Sequence, residues 1–195
     1  MNEAEAPCGT TLHGVLLDVY GIGVLLLGES GTGKSECALD LVTRGHRLVA
    51  DDVIQVTKDG GQILIGQGPE RIRHHMEVRG LGILSIRDLF GVAAIRYRKR
   101  IELVIRLEAW RPDQEYDRLG LEQQTYAIQG VDVPMLCIPV SAGRNVAILV
   151  EVAARNHLLK LLGVHVARRF TAGLIPGSDE EARFDLPSFS QEDRE

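Results

Sequence analysis

The run VLLDVYGIGVLLLGESGTGKS, residues 15–35, decides the fold. Residues 15–20 (VLLDVY) and 22–27 (IGVLLL) are aliphatic and β-rich, and Gly21 stands between them. That pattern predicts a hairpin of two buried strands. If the chain turns at Tyr20 and Gly21, antiparallel partners carry numbers summing to about 41. His13 then falls beside Gly28. GESGTGKS, residues 28–35, follows at once and matches G-x-x-x-x-G-K-[ST] at Gly28, Gly33, Lys34 and Ser35. A chance match in a chain of this length is on the order of one in a hundred, taking typical residue usage. ECALDLVTR, residues 36–44, then places Ala38, Leu39 and Val42 at helical spacing, and Gly45 is positioned to end the helix.

Such a strand–loop–helix has a specific use. Glycines bend the backbone of Gly28, Glu29, Ser30, Gly31, Thr32 and Gly33 so that successive N–H groups converge on an anion. The helix N-terminus adds the positive end of its dipole. Lys34 reaches the outer phosphates, and the Ser35 hydroxyl ligates Mg²⁺. The loop therefore points to a nucleoside triphosphate, and by itself it names no acceptor.

Other residues are candidates by position. A short strand over 46–50 is expected to end in Asp51 and Asp52, whose side chains should diverge and so differ in role. Glu77 and Arg79 stand two apart on an extended segment and share a face. The loop 116–120 (YDRLG) offers Arg118 as a charge stabiliser, and 139–144 (PVSAGR) offers donors at a helix start. His74 and His75 are adjacent and should diverge, which argues against a metal pair. Trp110 and the C-terminal leucines are assigned to packing.

The remainder reads as a mixed sheet. Strands are expected over 62–66, 81–84, 92–95, 101–107, 125–129 and 133–140, with a small helix over 85–89. Helices follow over 145–163, with Val146, Leu149, Val150, Ala153 and Leu161 on one side, and over 164–171. Strands crowd the middle without a regular βαβ alternation, so the sheet should be mixed.

Composition sets outer limits. The chain has 195 residues, enough for one sizeable domain, with 45% hydrophobic and 25% charged residues. Acidic residues number 27 against 22 basic, a net charge of −5, which argues against sequence-independent nucleic-acid binding. Residues 178–195 carry seven acids and two arginines, and read as a solvated acidic tail. Three scattered cysteines fit a reducing compartment. No apolar run is long enough to span a bilayer and no signal-peptide pattern opens the chain, so a cytoplasmic protein is expected.

Taken together, the motifs resemble one family. LHGVLLDVYGIGVLLLGESGTGKSE, GHRLVADDV, EVRGLGIL, KRIELVIRLE, YDRLG and PVSAGRN occur in that order, from about Leu12 to Phe170. This is similar to the catalytic domain of the HPr kinase/phosphorylase family. The resemblance implies a mixed α/β fold with a phosphate loop, like that of phosphoenolpyruvate carboxykinase, with C-terminal helices. It implies an ATP- and Mg²⁺-dependent serine kinase of the phosphocarrier protein HPr, which also runs the reverse phosphorolysis. His13, Lys34, Asp52 and Arg118 match the catalytic positions, with Asp52 as general base. Ser35 and Glu77 match the Mg²⁺ ligands. Residues 76–85 match a segment used in both reactions, and 139–144 one used in dephosphorylation. A cytoplasmic homohexamer is implied, with no membrane or nucleic-acid partner. The division expected is 1–11 as a loose start, 12–173 as the catalytic domain and 174–195 as tail. Members often carry a further domain before the histidine motif; here twelve residues precede His13. A kinase of small metabolites and a nucleotide-binding sensor are the alternatives.

Overall fold

The structure, a computed structural model, describes residues 9–114, 116, 124–167 and 171. The hairpin forms in the expected register. β1 (Thr10–Val19) and β2 (Ile22–Leu27) pair antiparallel from Val15 with Leu26 to Val19 with Ile22. Tyr20 and Gly21 make the turn, both at positive φ. β1 begins earlier than the apolar run because its polar start pairs with β3, from Thr10 opposite Val56 onward.

β3 (Arg47–Asp59) corrects the expectation of a short strand ending at the acid pair. The chain passes through Asp51 and Asp52 and continues with buried Ile54 and Val56. The pairing with β1 shifts between Leu16 and Leu17, and Asp52 takes φ 65°. A bulge and a left-handed residue bend a strand without ending it.

β4 (Ile63–Gln67) pairs with β3, and the short edge strand β7 (Arg98–Arg100) pairs with β4. On the other side, β8 (Leu103–Ala109) lies parallel to β2, and β10 (Val131–Val140) lies parallel to β8. β9 (Gln124–Ile128) closes the edge. The eight strands run β7-β4-β3-β1-β2-β8-β10-β9. This is the mixed sheet expected, with the phosphate loop rising from its centre. A separate two-stranded ribbon joins β5 (His75–Val78) and β6 (Gly82–Ser85).

Alternation splits the core between the two faces. Val15, Leu17, Val24, Leu26 and Ile105 face the helices α1 (Lys34–Thr43) and α3 (Val146–Leu161). Leu16, Leu25, Ile54, Val56 and Val104 form a second core, with Val131 and Val133. No helix among the described residues packs there. The sheet curls instead, and the β9–β10 turn meets β3 through Lys58 Nζ donating to the Gln129 carbonyl at 3.3 Å.

α1 buries Cys37, Ala38, Leu41 and Val42 and ends as expected at Gly45. Gly45 N–H donates to Val42 and His46 N–H to Leu41, the two bonds of a Schellman cap. Each large aliphatic side chain so buried contributes roughly 1.5–3 kcal/mol, which fixes α1, and with it the loop, to the sheet. α3 is capped by Asn145, whose side chain accepts from Ile148 N–H at 3.0 Å.

Several local expectations are overturned. Residues 92–95 form no strand: Val92–Ala94 is a 3-10 turn launched by Gly91 at φ 81°, a glycine-only start that overrides the β propensity of valine and isoleucine. Trp110 is 53% exposed and Leu161 63%, so neither belongs to the core. Val146, Leu149, Val150 and Ala153 pack on the core side of α3 as expected, and buried Ala147 and Ala154 widen that face. The small helix is α2 (Ile86–Phe90). Of the expected helix over 164–171, residues 168–170 lie outside the described set, as does the acidic tail.

Candidate active site

The central strand β2 delivers the chain directly into the phosphate loop. Gly28, Gly31 and Gly33 take φ 150°, 87° and 85°, conformations that L side chains rarely adopt. Thr32 stiffens the bend, its Oγ1 donating to the Glu29 carbonyl at 2.9 Å. Gly33 caps α1 with no side-chain partner, so the first N–H groups of that helix are left to face the loop. Lys34 folds back over it, Nζ donating to the carbonyls of Gly28 at 2.8 Å and Glu29 at 2.9 Å. The loop is thus a cluster of donors with one ammonium across its mouth, a cradle for an anion.

Two acids from β3 reach this loop differently. Asp51 is 8% exposed. It accepts from Ser35 Oγ at 3.2 Å and from the Glu77 N–H at 3.2 Å. Burial pushes its carboxyl above the ordinary range, against the lowering effect of those hydrogen bonds. Asp52 turns outward, its side chain 78% exposed, and its Oδ1 lies 3.9 Å from Nδ1 of His13. The bulge in β3 and the positive φ at Asp52 produce this division; simple alternation would have buried Asp52 with Ile54. Sequence reasoning has the two acids diverge and differ in role, and assigns a specific role only to Asp52; the expected position of the pair at a strand end after the phosphate-loop helix is the signal for Asp51.

β5 supplies the third wall. Met76 and Val78 enter the core, which leaves the Glu77 side chain exposed at the cleft that Asp51 also lines, while its backbone N–H donates to Asp51. Arg79 lies on the same side, as two-residue spacing predicts, and Nη2 donates to Ser30 Oγ at 3.3 Å. A cleft of about 160 Å³ gathers Gly33, Lys34, Ser35, Asp51, Asp52 and Glu77. His13 opens on the neighbouring cleft with Gly28, Glu29 and Thr32, where the hairpin register sets it. Arg118 lies outside the described residues. Arg144 closes on its own turn, donating to the Pro139 carbonyl at 2.9 Å. His74 is buried and His75 exposed, so the two diverge.

The donor set fits Mg²⁺. Among the described residues no three His, Cys, Asp or Glu side chains cluster as a metal cage. Mg²⁺ does not require one: it binds through one or two carboxylates, with waters and phosphate oxygens completing the shell. A hydroxyl and a buried carboxylate 3.2 Å apart at Ser35 and Asp51, with Glu77 adjoining, provide the protein share of such a shell.

A glycine-rich loop of phosphate-loop pattern between strand and helix, faced by acids from a nearby strand, is the arrangement of the phosphate-loop fold class. Comparison with known proteins narrows the class. The sequence profile of the HPr serine kinase C-terminal domain matches residues 6–174, and the chain belongs to that family. It is similar to HPr kinase/phosphorylase of Geobacter sulfurreducens, 60% identical over 166 residues, covering 85% of this chain and 52% of the relative. The Geobacillus kaustophilus enzyme of the same name is 53% identical over 180 residues, 92% of this chain and 58% of the relative. The chain thus spans a little over half the length of these curated relatives. Among solved structures, the Hpr(Ser) kinase/phosphatase of Coxiella burnetii is 36% identical with a TM-score of 0.74, covering 83% of this chain and 98% of that one.

Proposed function

We propose that this chain is the catalytic domain of a bifunctional enzyme that phosphorylates a serine of the phosphocarrier protein HPr from ATP, and removes that phosphate by phosphorolysis. One observation carries the reading. The outward carboxylate of Asp52 and the anion cradle of residues 28–35 open on the same cleft, so an acceptor hydroxyl and a terminal phosphate can meet there.

In the forward direction the loop amides and Lys34 hold the phosphate chain. Binding draws the Lys34 ammonium from the Gly28 and Glu29 carbonyls onto phosphate oxygens. Asp52 accepts the serine proton as that oxygen attacks the terminal phosphorus, and the bond to the leaving diphosphate breaks. His13, within 4 Å of Asp52, orients that carboxylate. Arg79 and Arg118 offset charge on the moving phosphoryl group. Ser35, Asp51 and Glu77 are the groups that would hold Mg²⁺, which when bound neutralises charge on the phosphate oxygens.

In the reverse direction an oxygen of inorganic phosphate attacks phosphoserine, pyrophosphate forms, and protonated Asp52 returns its proton to the serine oxygen. One cradle serves both directions, and water is not the nucleophile. The cytoplasmic setting and the homohexamer that the family resemblance implies belong to this same reading. No described helix is long and apolar enough to cross a membrane.

The test mixes the purified chain with HPr, ATP and Mg²⁺, reads intact mass for one added phosphoryl group on HPr, then adds phosphate and assays pyrophosphate. Asp52→Asn abolishes transfer in both directions while nucleotide still binds. Full transfer by Asp52→Asn removes Asp52 from the base role. Transfer to a metabolite in place of HPr, or ATP binding with no transfer, replaces the reading with a small-molecule kinase or a sensor.

A further inference from the structure

The phosphate loop stands between two clefts of unequal size. The cleft toward β3 is the small one, about 160 Å³, and is crowded by Asp51, Asp52 and Glu77. The other lies toward β8 and holds about 610 Å³. Small-molecule sites generally measure about 300–1,000 Å³, so only the second has room for a nucleoside. Topology agrees. β2 and β8 are the parallel pair beside the loop, and Leu27, the last residue before the loop, is in register with Arg106. In α/β sheets ligands lie beyond the carboxyl ends of such strands.

The wall of the larger cleft has the chemistry a nucleoside needs. Arg106 sets its guanidinium over the ring of Tyr126, 5.6 Å from the centroid. A planar base stacks on aromatic rings and on guanidinium planes alike. Glu108 and Gln114 line the same cleft, a carboxylate and an amide whose acceptors and donors are of the kind that pair with ribose hydroxyls. The acids that serve the terminal phosphate all lie on the opposite side of the loop.

We infer that the nucleoside of the phosphate donor lies in the cleft between the phosphate loop and the carboxyl end of β8, against the Arg106–Tyr126 stack. This rests on the reading of residues 28–35 as a triphosphate site, and adds which residues distinguish ATP from a bare polyphosphate. Pyrophosphate, the product of phosphorolysis, supplies the comparison, because it fills the loop and lacks a nucleoside.

The experiment measures calorimetric dissociation constants for ATP and for pyrophosphate, each with Mg²⁺, in the wild type and in Tyr126→Ala, Arg106→Gln and Tyr126→Phe. Tyr126→Ala weakens ATP about tenfold or more, the scale of one lost stacking contact. Pyrophosphate changes by less than about twofold on the same scale, which also reports an intact fold. Arg106→Gln shifts the ATP-to-pyrophosphate ratio in the same direction, and Tyr126→Phe keeps the wild-type ratio. An unchanged ratio in both Tyr126→Ala and Arg106→Gln overturns the subsite, and so does equal weakening of the two ligands. Wild-type protein that binds neither ligand overturns the triphosphate reading itself, a result distinct from an unchanged ratio.

Discussion

Gly28 and Gly33 are both fixed letters of the phosphate-loop pattern, yet the structure gives them unequal burdens. An added Cβ at Gly28 would lie 2.5 Å from the Leu107 carbonyl oxygen and 2.9 Å from Thr32 Oγ1, at φ 150°. At Gly33, φ 85°, it would meet nothing within 4 Å. Gly33→Ala therefore carries only the backbone cost of a left-handed residue, about 1–2 kcal/mol. Gly28→Ala carries a comparable strain of about 1–3 kcal/mol. It adds an overpacking cost of about 1–3 kcal/mol, because the obstacle is the backbone of β8 and cannot rotate aside. The total is about 2–6 kcal/mol, which at a urea slope of about 2 kcal/mol/M moves the unfolding midpoint down by roughly 1–3 M. The loop can instead yield locally. The midpoint then holds and pyrophosphate affinity falls by a factor of ten for each 1.4 kcal/mol of distortion. Urea unfolding and calorimetry on both variants read the two forms of loss. Equal or smaller total loss in Gly28→Ala than in Gly33→Ala refutes the close approach to β8.

Three further outcomes are expected. Asp51 binds its proton more tightly folded than unfolded, because burial raises its carboxyl. Its ionisation therefore costs stability as pH rises from the ordinary aspartate value of about 3.9 through the raised one. Asp51→Asn should lose transfer activity yet melt above the wild type at pH 7, with the gap vanishing in acid; a pH-independent gap in thermal scans rejects this. His74 is buried, both ring nitrogens lack hydrogen-bond partners among the described residues, and burial with nearby Arg73 and Arg87 lowers its basicity. Stability should fall as pH drops below the ordinary histidine value of about 6.5, where only the unfolded chain takes the proton. His74→Asn, which tolerates the φ of 66°, should flatten that acid limb of the melting profile. Arg118→Ala should lower the transfer rate by about 10²–10³ and leave ATP affinity within a few-fold, as expected for a group that acts on charge in the transition state; loss of ATP binding instead makes it a ground-state ligand.

The centre of this fold was legible because its signals are local. Two apolar runs around Gly21 set the hairpin, its register sets His13 beside the loop, and the fixed glycines set the strand–loop–helix. Spacing alone placed Glu77 and Arg79 on one face. What stayed hidden depends on tertiary geometry. The parity change that buries Asp51 and exposes Asp52 arises from a bulge opposite Leu16 and Leu17, which no pattern within residues 46–56 reveals. The 3-10 turn at Val92–Ala94 follows from the backbone of Gly91, against the propensities of the residues that form it. Arg106 and Tyr126 are distant in sequence and become neighbours only when β8, β10 and β9 are laid side by side.

The kink between Asp51 and Asp52 also bears on how such a site can change over generations. One carboxyl answers to the hydrophobic interior around Met76 and Val78, the other to solvent and an imidazole. Replacements in the interior can retune the buried acid while leaving the exposed one alone, and replacements near His13 can do the converse. Neighbours along the backbone are thereby free to evolve as though they belonged to separate sites.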